Sequence, residues 1–211
     1  CEPSAHFVRM LNLTEEHGLV AGKHALTNRE FLASTDERFR PVNLCNAPDG
    51  SLFLVDLYHG IVQHKAYLTR YLREHVEHRD LASHPRLGRI YRIRYRHKAL
   101  GEQPRMLRKK SSDLVADLAH PNGWWRDTAQ QLLIDREDHS IVPALNSLAA
   151  NQRQSLGQIH ALWTLEGLGA VNYTAIAGAL QSDDRRVLEM AIRLSEQLFD
   201  SDELARLMPR M

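Results

Sequence analysis

The chain has 211 residues, 43% hydrophobic and 25% charged, with a formal net charge of +1. That is the make-up of an ordinary folded protein holding one large domain or two small ones. The near-neutral balance favours no polyanion, and no apolar run approaches the roughly 18 residues of a membrane span. Two cysteines, Cys1 and Cys45, form no CxxC or CxxCH and are too few for a disulfide scaffold. A bond between them stays open.

His6 to Leu13 alternates well enough for a strand, Thr14 to Gly18 reads as a turn, and Leu19 to Leu26 as the return strand. Asn28 to Asp36 reads as a loop anchored by Phe31 and Leu32. A second hairpin follows, from Pro41 to Cys45 and from Ser51 to Leu57. Its turn is Pro48-Asp49-Gly50: proline presets φ, aspartate can bond its own backbone, and glycine tolerates positive φ. Between Ala66 and Val76, Tyr67, Leu68, Tyr71, Leu72 and Val76 fall on one helical stripe. Gly88 to Tyr95 reads as a closing strand, and residues 99–110 as a polar, basic linker. The basic clusters Arg92–Lys98 and Arg105–Lys110 have no regular aromatic interleaving and read as solvated linker or strand surface, not a nucleic-acid groove.

From Ser111 the period becomes helical and a repeat emerges. Ala129, Ala161 and Ala191 each sit mid-helix, spaced by 32 and then 30 residues in the sequence. A shorter apolar helix precedes each, at Leu114–Leu118, Ile141–Leu148 and Ile176–Leu180, with breakers at His120–Gly123, Gln152-Arg153 and Ser182-Asp183. Small residues at a fixed helical spacing are what close approach between paired helices requires. Ser201 to Met208 reads as the start of another helix. Cys1 is not an initiator methionine and residues 1–5 run straight into a strand-like pattern, so the expectation is a piece of a longer chain.

Two arginines, Arg38 and Arg40, stand in Glu37-Arg38-Phe39-Arg40-Pro41-Val42, just before a strand. They read either as salt-bridge formers or as contacts to an anionic ligand. Asp56 reads as a cap on the following loop or as a channel-ligand or metal carboxylate. His59 and His64 read as loop histidines or as a metal pair, and Trp124 and Trp125 as packing staples or as a binding platform. The acidic residues show no paired arrangement for general acid–base work.

The Glu37–Val42 run, the Asn46–Val55 hairpin and the strand Gly88–Ile93 resemble the last blades of the six-bladed propeller of soluble quinoprotein sugar dehydrogenases. Pro41 stands where that family carries aspartate. The order of parts, with Asp56–Gly60, Gln63-His64, His120–Ala129 and then helical repeats, resembles large bacterial "membrane-bound dehydrogenase"-type proteins. In those, a propeller, HEAT repeats and a c-type cytochrome domain share one chain. The segment Ser182–Leu194 itself resembles a HEAT repeat, with an aspartate cap followed by arginine.

The resemblance implies an α+β chain in two parts: residues 1–98 as one to one-and-a-half antiparallel β-propeller blades with a helical insertion near 66–76, and residues 111–211 as an α-solenoid of HEAT-like helix pairs. It implies pyrroloquinoline quinone (PQQ) as cofactor, held by Arg38 and Arg40 in the full-length parent. Other implied features are sugar or alcohol oxidation, a haem domain outside this chain as electron acceptor, missing blades as partners, and a periplasmic or extracellular location. The catalytic base of that family lies in an early blade, outside this chain, so the piece by itself is expected to be inactive. The alternative expectation is a non-catalytic scaffold for protein or glycan partners.

Overall fold

A computed structural model of the chain describes residues 1–16, 19–83 and 86–198. The helix expected at Ser201–Met208, and His17 and Gly18 of the expected turn, lie outside the described residues. The chain divides into two compact units, Cys1–Leu100 and a second that begins at Gly101. The first is built of small antiparallel sheets and the second of helices.

In the first unit, β1 (Phe7–Val8), β2 (Leu11–Glu16), β3 (Leu19–His24) and β4 (Leu32–Ala33) form two separate two-stranded sheets, β1 with β4 and β2 with β3. Thr14, Glu15 and Glu16 pair with Ala21, Val20 and Leu19, so the strand runs through what the sequence reads as a turn. The third sheet has the order β5 (Pro41–Asn46), β6 (Leu52–Asp56), β7 (Arg89–Ile93), all antiparallel. The β5–β6 turn has Gly50 at φ 81°, as the Pro-Asp-Gly signal predicts. Asp49 Oδ1 accepts from the Ser51 amide at 3.0 Å, and an Arg92–Asp49 ion pair ties the turn to β7. No closed propeller is formed by these sheets.

The core of this unit is small: Val8, Phe39 and Leu54, with Leu32, Leu44 and Ile93 packed around them. Much apolar surface remains outside it. Leu13 and Leu19 on the β2–β3 hairpin are 69% and 76% exposed, and Phe31, expected as an anchor, is exposed too. Helix α1 (Arg70–His78) follows a 3₁₀ turn at Lys65–Tyr67, and Thr69 caps it by accepting from the Leu72 amide. Of the predicted stripe only Leu68 and Val76 are buried; Tyr67 and Tyr71 are 82% and 74% exposed and Leu72 is exposed. A stripe identifies which residues share a face, but this short helix meets the sheet segment mainly through its polar side chains and its C-terminal end.

The second unit holds six helices among the described residues: α2 (Ser111–Asp117), α3 (Gly123–Asp135), α4 (Val142–Ala149), α5 (Ser155–Gly167), α6 (Tyr173–Ala179) and α7 (Arg185–Ser195). The short helices pack in the series α2–α4–α6 and the long ones in the series α3–α5–α7, while α2–α3, α4–α5 and α6–α7 pack as pairs. Ala129, Ala161 and Ala191 are fully buried. The close approach they permit recurs at Gly178, where an added Cβ would lie 2.8 Å from the Ala150 side chain. Asn122, Asn172 and Asp184 cap α3, α6 and α7 by accepting backbone N–H bonds. Asp184 also bonds Arg186, which holds its carboxyl well below the usual range.

One polar pin crosses this core. Gln158, fully buried on α5, donates from Nε2 to the Ala149 carbonyl at 2.8 Å and accepts from Ser182 Oγ at 3.2 Å. It links the end of α4 to the turn before α7. Part of the expected linker belongs to this unit: Met106–Arg108 forms a 3₁₀ turn, and Met106 is buried among the helices. Arg136 holds that turn by donating to the Lys109 and Leu107 carbonyls.

Candidate functional site

The run Glu37-Arg38-Phe39-Arg40 opens β5, and each of its side chains is engaged. Asp36 starts it with a tight turn, accepting from the Arg38 amide at 2.9 Å through its side chain and from the Phe39 amide at 3.0 Å through its carbonyl. Glu37 reaches α1, meeting His75 Nε2 at 2.9 Å and Arg79 Nη1 at 3.5 Å. The His75 bond draws the Glu37 carboxyl below its ordinary value. Arg38 donates from Nη2 to the Asp80 carbonyl at 2.7 Å, just beyond the end of α1. Phe39 enters the small core, and its carbonyl lies 2.8 Å from His6 Nδ1.

Arg40 is only 6% exposed. Its guanidinium donates to four backbone carbonyls: Nε to His59 at 2.8 Å, Nη1 to Pro3 at 2.8 Å and Ser4 at 3.4 Å, and Nη2 to Gly60 at 2.6 Å. No carboxylate pairs with it among the described residues; burial therefore lowers its pKa from the ordinary arginine value, with Glu37 opposing. The fork is spent on sewing the N-terminal residues and the 59–60 loop to the start of β5. Gly60 is part of the same joint: an added Cβ there would lie 2.3 Å from the Leu81 carbonyl oxygen. Only glycine lets the loop pass that close to the chain beyond α1.

Asp56 ends β6 and is 1% exposed. Its Oδ1 accepts from the Arg40 amide at 2.7 Å and from the Tyr58 amide at 2.8 Å, so it caps the following loop, one of the two roles its sequence position allows. Oδ2 is buried without a hydrogen-bond partner among the described residues. The capped loop puts Tyr58 in the left-handed region at φ 45°. Its ring lies under Arg89 of β7, with the guanidinium carbon 3.5 Å from the ring centroid. The sequence reading missed this stack. Its one sequence signal is Asp56-Leu-Tyr58, an aspartate placed to accept from the amide two residues on.

The remaining candidates bond locally or serve packing. The Nδ1 of His59 bonds the Ile61 carbonyl; that of His64 accepts from the Ala66 amide at 3.3 Å. No group of three or more His, Cys, Asp or Glu side chains is gathered for a metal among the described residues. Cys1 and Cys45 are free, exposed thiols. Trp125 is buried, with the His120 ring stacked on it at 5.1 Å and Lys109 Nζ 5.1 Å from its centroid, while Trp124 packs edge-on against it and against the helical core. Among the described residues no helix is long and apolar enough to cross a membrane.

A family model described as a domain of unknown function, DUF7133, matches residues 1–97. That match covers the sheet-bearing unit almost to its end and stops before the second, helical unit begins. No curated protein and no solved structure matches the chain.

Proposed function

We propose that the chain is a portion of a larger quinoprotein-like sugar or alcohol dehydrogenase: its first unit supplies terminal blade structure to a β-propeller that holds PQQ, and its second is a solenoid of HEAT-like helix pairs. The observation that carries the reading is the openness of the first unit. A three-stranded sheet whose outer strands have no further strand beside them among the described residues, with a small core and exposed leucines on a neighbouring hairpin, needs further strands against it. The neighbour-to-neighbour packing of the helix pairs supports the solenoid.

Within this reading the two arginines divide the work. Arg38, whose guanidinium makes one hydrogen bond among the described residues, to the Asp80 carbonyl, keeps donors for a planar, carboxylate-bearing cofactor. Arg40 fixes the loop and the strand start from which Arg38 projects. The quinone, when bound, supplies the two-electron oxidation of a substrate hydroxyl, the electrons leaving for a haem domain outside this chain. The catalytic base belongs to a blade outside this chain. The occupied fork of Arg40 favours a second reading, a non-catalytic scaffold of the same architecture that binds protein or glycan partners.

Reconstitution of the full-length parent with PQQ, followed by dye reduction over a panel of sugars and alcohols, separates the two. The dehydrogenase reading expects turnover, and expects Arg38→Ala to weaken quinone affinity about tenfold or more, since a charge-assisted hydrogen bond contributes about 1.5–3 kcal/mol. A parent that takes up no quinone leaves the scaffold.

A further inference from the structure

We infer that Arg89, stacked on Tyr58, is a contact for a planar polycarboxylate at the end of the three-stranded sheet that carries Arg40. The inference deepens the proposed function, resting on the reading that this sheet end faces an anionic ligand, and it names a residue that reading leaves unused. Arg89 opens β7 directly opposite Asp56 in the ladder, and Asp56 is itself opposite Pro41, next to Arg40.

The guanidinium is positioned but not consumed. Tyr58 lies 3.5 Å beneath it; Nη1 reaches the Tyr91 hydroxyl and Nε the Leu87 carbonyl only at 3.5 Å, the long limit of a hydrogen bond. Arg89 is exposed and makes no ion pair among the described residues. Four other arginines of this unit are spent: Arg9 on Glu30, Arg79 on Glu37, Arg92 on Asp49 and Arg40 on carbonyls.

The stack also has a cost. Tyr58 occupies the left-handed region, unfavourable for a side chain of its size. The buried carboxylate of Asp56 holds it there through the Tyr58 amide. A buried acid that fixes a strained tyrosine under an exposed guanidinium builds a platform with one face on the ring and the other outward. Stacking fixes the plane of the fork, and a fixed fork takes a carboxylate through two parallel N–H bonds. An aromatic acid can also lie on the outward face, which is why the ligand class is planar.

The test is a titration of the full-length parent with PQQ and, separately, with benzene-1,3,5-tricarboxylate, which has the carboxylates without the quinone. The readout is the ¹⁵N NMR signal of the Arg89 Nε–Hε group, with circular dichroism as the check on folding. The expected result is movement of that signal, an at least tenfold loss of affinity in Arg89→Ala and Arg89→Lys, and a smaller loss in Tyr58→Leu. Arg89-dependent binding of PQQ, alone or with the tricarboxylate, supports both the contact and the quinone. Arg89-dependent binding of the tricarboxylate alone keeps the contact and counts against the quinone. Unchanged affinity in Arg89→Ala overturns the contact while leaving any quinone binding in place, and binding of neither probe overturns the contact.

Discussion

A guanidinium holds its donors in a fixed fork, and at Arg40 three nitrogens meet the carbonyls of residues 3, 4, 59 and 60. Truncation to alanine leaves those carbonyls without their donor in a buried place. Arg40→Ala is therefore expected to destabilise the first unit by about 3 kcal/mol or more, read as a fall in its urea midpoint. Arg40→Lys recovers less than half, because a point ammonium cannot span carbonyls on two chain segments. The sequence marks Arg40 by its type and its place before a strand, so its importance is legible there. Its partners are not, because backbone carbonyls 19 to 37 positions away carry no residue signature. Asp56 was more readable, since capping a loop two residues on is local chemistry.

Among the elements, the helix pairs were the most legible part of the fold. Their signal, a small residue mid-helix at a repeating interval with breakers between, is written in the residues that pack. The α1 stripe misled because periodicity names a face without naming what covers it, and Tyr67 and Tyr71 have no covering layer in this unit. Gln158 was invisible for the opposite reason: a buried amide within an apolar pattern looks like an exposed one. Its two bonds tie consecutive helix pairs together. Gln158→Leu strands the Ala149 carbonyl and the Ser182 hydroxyl, at an expected cost of about 2–4 kcal/mol. The loss should be read in urea unfolding followed by helical circular dichroism, and Gln158→Glu should not restore it, since a carboxylate has no N–H for Ala149.

For the molecule as a whole, the two units differ in how much each buries. The helical unit has a continuous core from Met106 to Leu198, whereas the sheet-bearing unit relies on a few residues and on polar ties. Local stability follows buried apolar contact. Amides of Leu11–Glu16 and Leu19–His24 are expected to exchange with deuterium roughly a hundredfold faster, or more, than those of Ser155–Gly167, in a measurement by mass spectrometry on the intact chain. Equal protection in both segments would mean the hairpin is covered in solution.

The ties of the sheet-bearing unit also respond differently to acid. Glu37 has its carboxyl drawn below its ordinary value of 4.5, so its hold on α1 is present above that value and fades as the pH drops through the lowered one. Arginine stays protonated throughout that range, even where burial works against it. Acidification therefore slackens the helical insertion first, while the stitching around residues 3, 4, 59 and 60 keeps its cation throughout the acidic range.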